Sequence, residues 1–155
     1  MNSVRCESPA KLGQAWLLLC GALALHVADE AATGFLHVYN PTVMTIRQQV
    51  PWLPLPVFRF DEWIAGLIAG ILALALISPL VFRGVPWTRV AAYVLAIFMI
   101  VNAAGHTIAT LLGRTVPSVR FEGPMPGFYS SPVLLAASIY LLFRLQTSAD
   151  GRQPA

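Results

Sequence analysis

His26 and Glu30 stand four residues apart, with Asp29 beside Glu30, inside one long apolar stretch; Asn102 and His106 repeat that spacing inside another. Residues at i and i+4 share one face of a helix, so each pair forms a polar stripe. An ionisable side chain at the centre of a membrane span costs roughly 2.5–3.5 kcal/mol on insertion scales. Both stripes are therefore expected to face inward, toward each other. His26, Glu30 and His106 would supply two imidazoles and one carboxylate. That set suits Zn²⁺ with a fourth position left for water, or non-haem Fe with several open positions. In that reading Asp29 or Glu122 serves as base and Asn102 orients a ligand or the substrate. Asp29, Glu30, Asn102 and Glu122 are thus the candidate catalytic residues, and His26, Glu30 and His106 the candidate metal ligands.

The same residues admit two other readings. Without a metal, a buried carboxylate that stays protonated beside a histidine forms an acid/base pair for isomerising or hydrolysing an apolar substrate. Alternatively, Glu30 and His106 pair across helices and neutralise each other. The chain would then be a non-catalytic lipid-binding or structural module.

The elements that must position these groups are membrane helices. Hydrophobic residues make up 57% of the 155-residue chain, only 11% is charged, and the mean hydropathy is +0.68. A soluble domain carries about 25% charged residues. A span takes about 20 residues, and the apolar runs predict four, over 12–36, 61–82, 87–113 and 131–146. The expected fold is all-α: one integral membrane domain over 1–155, a bundle of four transmembrane helices with a Pro-rich interfacial segment over 37–60. Pro41, Pro51, Pro54 and Pro56 argue against a span in that segment. Asn40-Pro41 is expected to cap a short helix reaching Val50, and Pro79 to end or kink the second span. Gly66, Gly70 and Ala73 form a small-residue row of the kind that lets membrane helices approach closely. Trp16, Trp63 and Trp87 are expected as interface anchors, and residues 114–130 as a Pro/Gly-rich loop. Arg5 and Lys11 precede an apolar core as in a signal peptide, but the apolar character continues through Ala28, Ala31 and Ala32. A retained first span is the expectation.

The formal charge is only +3 and the basic residues are scattered, which gives nucleic acid no binding surface. The partners expected are membrane lipid and an apolar small-molecule substrate. Cys6 and Cys20 form no CxxC or zinc spacing and are expected to be free. Arg5, Lys11, Arg83, Arg89, Arg144 and Arg152 fall on the side of the termini; Arg47, Arg59, Arg114 and Arg120 fall on the other. This excess places the termini in the cytoplasm, and the compact design suits a bacterial inner membrane. In that layout His26, Glu30, Asn102, His106, the loop bearing Glu122, Pro126 and Gly127, and Ser130 with Ser131 all lie in one half of the bundle. Asp61 and Glu62 open the second span there, where acids stabilise a helix N-terminus.

These residues resemble the HXXEE family of small membrane proteins. His26-Val27-Ala28-Asp29-Glu30 is similar to His-x-x-Glu-Glu, Asn102-Ala103-Ala104-Gly105-His106 matches Asn-Ala-x-x-His, and Pro124-Met125-Pro126-Gly127-Phe128-Tyr129-Ser130 resembles Tyr-x-Pro-Gly-x-x-Thr. The order and placement of the motifs cover most of the chain. The resemblance implies an enzyme without an established reaction. Asp29 stands for the first Glu, Pro124 for the Tyr and Ser130 for the Thr, so no role of that tyrosine carries over.

Overall fold

The computed structural model describes residues 9–150, with side chains described through 147. Arg5, Cys6 and Arg152, used above for orientation and thiol state, lie outside the described residues. Six helices and one small hairpin follow in order: α1 (Pro9–Thr33), α2 (Leu36–Gln49), α3 (Phe60–Leu76), α4 (Ser78–Phe82), α5 (Pro86–Leu112), β1 (Arg114–Val116), β2 (Val119–Arg120) and α6 (Ser131–Asp150). Three stretches are long and apolar enough to cross a membrane: Pro9–Thr33, Phe60–Phe82 and Pro86–Leu112. The stretch expected as a fourth span is helical, α6, but its apolar part, Ser131–Thr147, is shorter than these three.

Helix α6 forms the centre of the bundle. Leu134, Ala137, Ser138, Leu141 and Leu145 are buried along it, and it packs on both α1 and α5. Their partners include Leu12, Ala15, Trp16 and Leu19 of α1 and Ala92, Ala96, Met99 and Ala103 of α5. Alanines on α5 leave room for the leucines of α6, which is how small residues let helices approach. Helices α3 and α4 flank the bundle, packed mainly on α1. Trp63 is the one buried residue of α3, and its outer face carries Ile68, Leu72 and Leu76 exposed.

Several expectations are corrected. The first span ends at Thr33, not 36. Gly34 takes φ +78, and the Phe35 N–H returns to the Glu30 carbonyl at 3.0 Å. That six-to-one bond is the Schellman stop of a helix, for which Gly is the least strained residue. His37 therefore belongs to α2, off the His26–Glu30 stripe. Helix α2 begins at Leu36, so Pro41 lies inside it rather than at its start. Asn40 does no capping. Its side chain donates to the Phe58 carbonyl (2.9 Å) and accepts from the Phe58 N–H (3.1 Å), pinning the Pro-rich segment onto α2.

Trp16 is not an interface anchor: it is fully buried, and its indole N–H donates to the Leu74 carbonyl at 3.0 Å, tying α1 to α3. Trp63 is also buried, stacked on Phe35, whereas Trp87 is half exposed. A Cβ on Gly66 or Gly70 would meet nothing within 4 Å, so the small-residue row makes no close approach inside the chain. Gly13 makes one instead, with the Phe82 ring 2.5 Å from where its Cβ would stand. The helix over 60–82 breaks at Ile77, two residues before Pro79, which has no N–H to donate and so is tolerated in the first turn of α4. The fold also departs from all-α: β1 and β2 pair antiparallel within the expected 114–130 loop.

Candidate metal centre

The site is assembled by α1, α5 and the turn that enters α6. On α1, His26 and Glu30 occupy successive turns of one face. On α5, Asn102 and His106 do the same. His26, Glu30 and His106 are 1%, 5% and 4% exposed, so all three side chains lie inside the protein. Glu30 Oε1 sits 3.2 Å from His106 Nε2 and 3.6 Å from His26 Nε2. The two imidazoles meet edge to face, centroids 4.8 Å apart.

Hydrogen bonds determine the state of His26. The Asn102 amide donates to His26 Nε2 at 3.0 Å. Nδ1 then carries the proton and donates to Ser130 Oγ at 2.9 Å. Ser130 Oγ–H in turn donates to Asp29 Oδ2 at 2.8 Å, and the Ser130 N–H donates to the same oxygen at 2.8 Å. Asp29 therefore caps the entry to α6 and orients His26 through Ser130. A metal-ligating imidazole usually has this kind of outer partner on its second nitrogen. His106 differs: its Nδ1 is buried with no hydrogen-bond partner among the described residues.

Gly127 closes the site from the other side. It has φ +86, and a Cβ there would lie 2.8 Å from both Glu30 Cγ and His106 Cε1. Its N–H donates to Thr33 Oγ1 at 3.2 Å, and its carbonyl accepts from Ser131 Oγ at 2.8 Å. Pro126-Gly127 is thus a turn whose glycine lets backbone rest directly on the carboxylate and imidazole.

The ligating atoms of His26, Glu30 and His106 all lie within 4.8 Å of one another. Ligands about 2.0–2.1 Å from a tetrahedral Zn²⁺ lie about 3.3 Å apart. The two Glu30 edges, 3.2 and 3.6 Å, bracket that spacing. The donor set could hold a divalent ion once the Asn102 amide gives up the lone pair of His26 Nε2 and the three side chains draw together.

Of the expected residues, the structure brings together His26, Asp29, Glu30, Asn102 and His106. Glu122 is elsewhere. It is exposed in a groove beside Arg114 and Arg120, because the strand turns Phe121 inward and its neighbours outward. Asp61 and Glu62 are also outside the centre: the Glu62 carboxylate accepts from the Arg59 N–H at 3.3 Å, and Asp61 pairs with the Arg59 guanidinium at 3.1 Å. Both serve the start of α3. Ser130, the last residue of the third motif, joins the site as well, between His26 and Asp29. Its signal is its position directly before the Ser131-Pro132 helix start, where a hydroxyl is favoured.

Two cavities with mostly apolar walls flank the centre. One, about 410 Å³, is lined by His26, Glu30, Phe35, Trp63, Phe98 and Asn102 among others. The other, about 350 Å³, is lined by Phe35, Phe98, Asn102, His106, Thr115 and Met125 among others. Phe35 and Phe98 border both. Phe35 also stacks between Tyr39 and Trp63, at 5.4 and 5.9 Å. Phe98 is two-thirds exposed on the flank of α5.

No family model matches the chain, and comparison with curated proteins and with solved structures finds no match. The class the fold and site define is therefore a helical, membrane-type bundle with a buried His–Glu–His centre.

Proposed function

We propose that this chain is a membrane-embedded, metal-dependent enzyme that hydrolyses a lipid or another apolar small molecule. The observation that carries the reading is the convergence of His26, Glu30 and His106 on one point inside an apolar bundle. Three buried ionisable side chains at that level are costly unless they neutralise one another or hold an ion. When bound, Zn²⁺ or Fe would supply Lewis acidity to the scissile group. His26 would bind it through Nε2, with Ser130 and Asp29 holding the ring. Asn102 would turn its amide from His26 to the substrate. Phe35 and Phe98 would exclude bulk water and guide an apolar chain to the centre, entering from the bilayer past Phe98.

The reading includes membership of the HXXEE family, supported by the three motifs and by their meeting at one place. It also includes α6 as a fourth span, cytoplasmic termini and a bacterial inner membrane. The test is to incubate the purified chain, reconstituted in vesicles of mixed lipids, and to follow products by mass spectrometry. Cleavage that a chelator abolishes and that His26→Ala removes is the expected result. No product from any lipid class contradicts it.

A second reading has its own support. If Nε2 of His106 donates to Glu30, its idle Nδ1 is an acceptor only, which is cheaper to bury than an idle donor. The pair would then staple α1 to α5 in a non-catalytic lipid-binding or structural module. Lipid binding without turnover, at full strength after chelation, supports that alternative.

A further inference from the structure

Arg114 and Arg120 are directly opposed partners across the β1–β2 hairpin. Directly opposed residues share one face, with Cβ atoms about 4.5–5.5 Å apart, and like charges there destabilise the pair. Among the described residues, no carboxylate forms an ion pair with either guanidinium. Beyond β2 the pairing runs one residue further, since the Phe121 N–H donates to the Gly113 carbonyl at 3.1 Å. Side chains alternate along an extended strand. Val119 and Phe121 point inward onto Val38, Ala109 and Met125. Arg120 and Glu122 therefore point outward, onto the face of Arg114. These three charged side chains share one groove of about 550 Å³. Two cations and one anion are thus presented together, at a cost to the hairpin that a bound anion would remove.

The groove's place is equally specific. It lies at the end of α5, where Leu111 and Leu112 are exposed. His106 is six residues earlier on that helix, about 9 Å along its axis. Thr115, next to Arg114, is the extra residue of the hairpin's irregular register; it bonds to Thr42 and lines the cavity that reaches His106. A molecule with its charged end in the groove would lay its apolar part over the exposed Leu111 and Leu112.

We infer that Arg114, Arg120 and Glu122 form a headgroup site for an amine-bearing phospholipid. The two guanidiniums take the phosphate diester, which Arg binds through paired N–H donors, and Glu122 takes the ammonium. The inference rests on the lipid reading of the cavities and narrows the substrate to a phosphoethanolamine-type lipid.

The full-length chain in detergent is titrated with short-chain phosphatidylethanolamine, short-chain phosphatidylglycerol, phosphoethanolamine and inorganic phosphate, and bound adducts are counted by native mass spectrometry. Phosphatidylethanolamine is expected to bind tightest. Arg114→Gln with Arg120→Gln weakens it about tenfold or more; Arg83→Gln, at the other end of the bundle, does not. Glu122→Gln is expected to erase the preference over phosphatidylglycerol while phosphate recognition persists. Unchanged binding in the double variant overturns the site. Equal binding of inorganic phosphate overturns its assignment to a lipid, and an unchanged preference in Glu122→Gln overturns the amine. Removing any metal with a chelator leaves headgroup binding intact, so failure of the metal centre and failure of this site are told apart.

Discussion

Asp29 Oδ2 accepts both the backbone N–H and the hydroxyl of Ser130, each at 2.8 Å, so the residue beside Glu30 anchors the start of α6. One carboxylate thereby ties the central helix to α1 and orients His26. Asp29→Ala is expected to destabilise the bundle by about 1–2 kcal/mol, the usual cost of a lost N-terminal cap. It should also weaken metal binding about 10–100-fold, as loss of an outer partner does. Asp29→Asn keeps an acceptor and should recover most of the stability. Thermal unfolding in detergent and metal titration check the two effects separately.

Gly127→Ala tests the close contact at the centre. Its methyl would stand 2.8 Å from Glu30 Cγ and His106 Cε1, at a backbone φ of +86 that L-residues avoid. A loss of about 1–3 kcal/mol is expected from overpacking and strain together. Gly123→Ala is the comparison, because that glycine has a similar φ of +94 but nothing within 4 Å. Its smaller loss in the same unfolding assay isolates the contact from the backbone term.

Glu30 and His106 should be energetically coupled. Removing one partner of a buried pair costs about 3–5 kcal/mol because the other is left uncompensated. Glu30→Leu and His106→Leu singly should each approach that range, while the double variant should lose clearly less than their sum. A double-mutant cycle on unfolding free energy measures the coupling, and additive losses would show that the 3.2 Å contact carries none.

The Pro-rich segment over 50–59 depends on Asn40. Its side chain makes both hydrogen bonds to Phe58, and Tyr39 adds one from its hydroxyl to the Pro56 carbonyl at 3.1 Å. Asn40→Ala should cost about 1–3 kcal/mol locally and speed amide exchange at Phe58. Exchange at Trp16, in the core, should be unchanged. Hydrogen–deuterium exchange followed by peptide mass spectrometry reads both positions.

How much of this was legible beforehand divides along physical lines. The pairing of His26 with Glu30, and of Asn102 with His106, follows from helix geometry, which depends only on spacing. That both stripes face inward follows from the cost of charge in hydrocarbon. The Schellman stop at Gly34 was less visible, because a single Gly is compatible with continuing or ending a helix. Trp16 was misplaced because its burial depends on the Leu74 carbonyl of another helix, which spacing along α1 cannot reveal. The hairpin was missed because its strands, Arg114–Val116 and Val119–Arg120, are too short to show alternation. With it went the outward position of Glu122. Ser130 shows its role only once α1 and α6 are side by side.

Metal content is the most direct test of the centre. The full chain, purified without chelators, is analysed for Zn and Fe by mass spectrometry, then stripped and refilled with Co²⁺ for absorption spectroscopy. The prediction is one tightly bound ion per chain, with visible bands of a low-coordinate Co²⁺ site, both lost in His26→Ala and in His106→Ala. A wild-type chain that binds no ion, or histidine variants that bind as much as wild type, would contradict a metal centre at His26, Glu30 and His106.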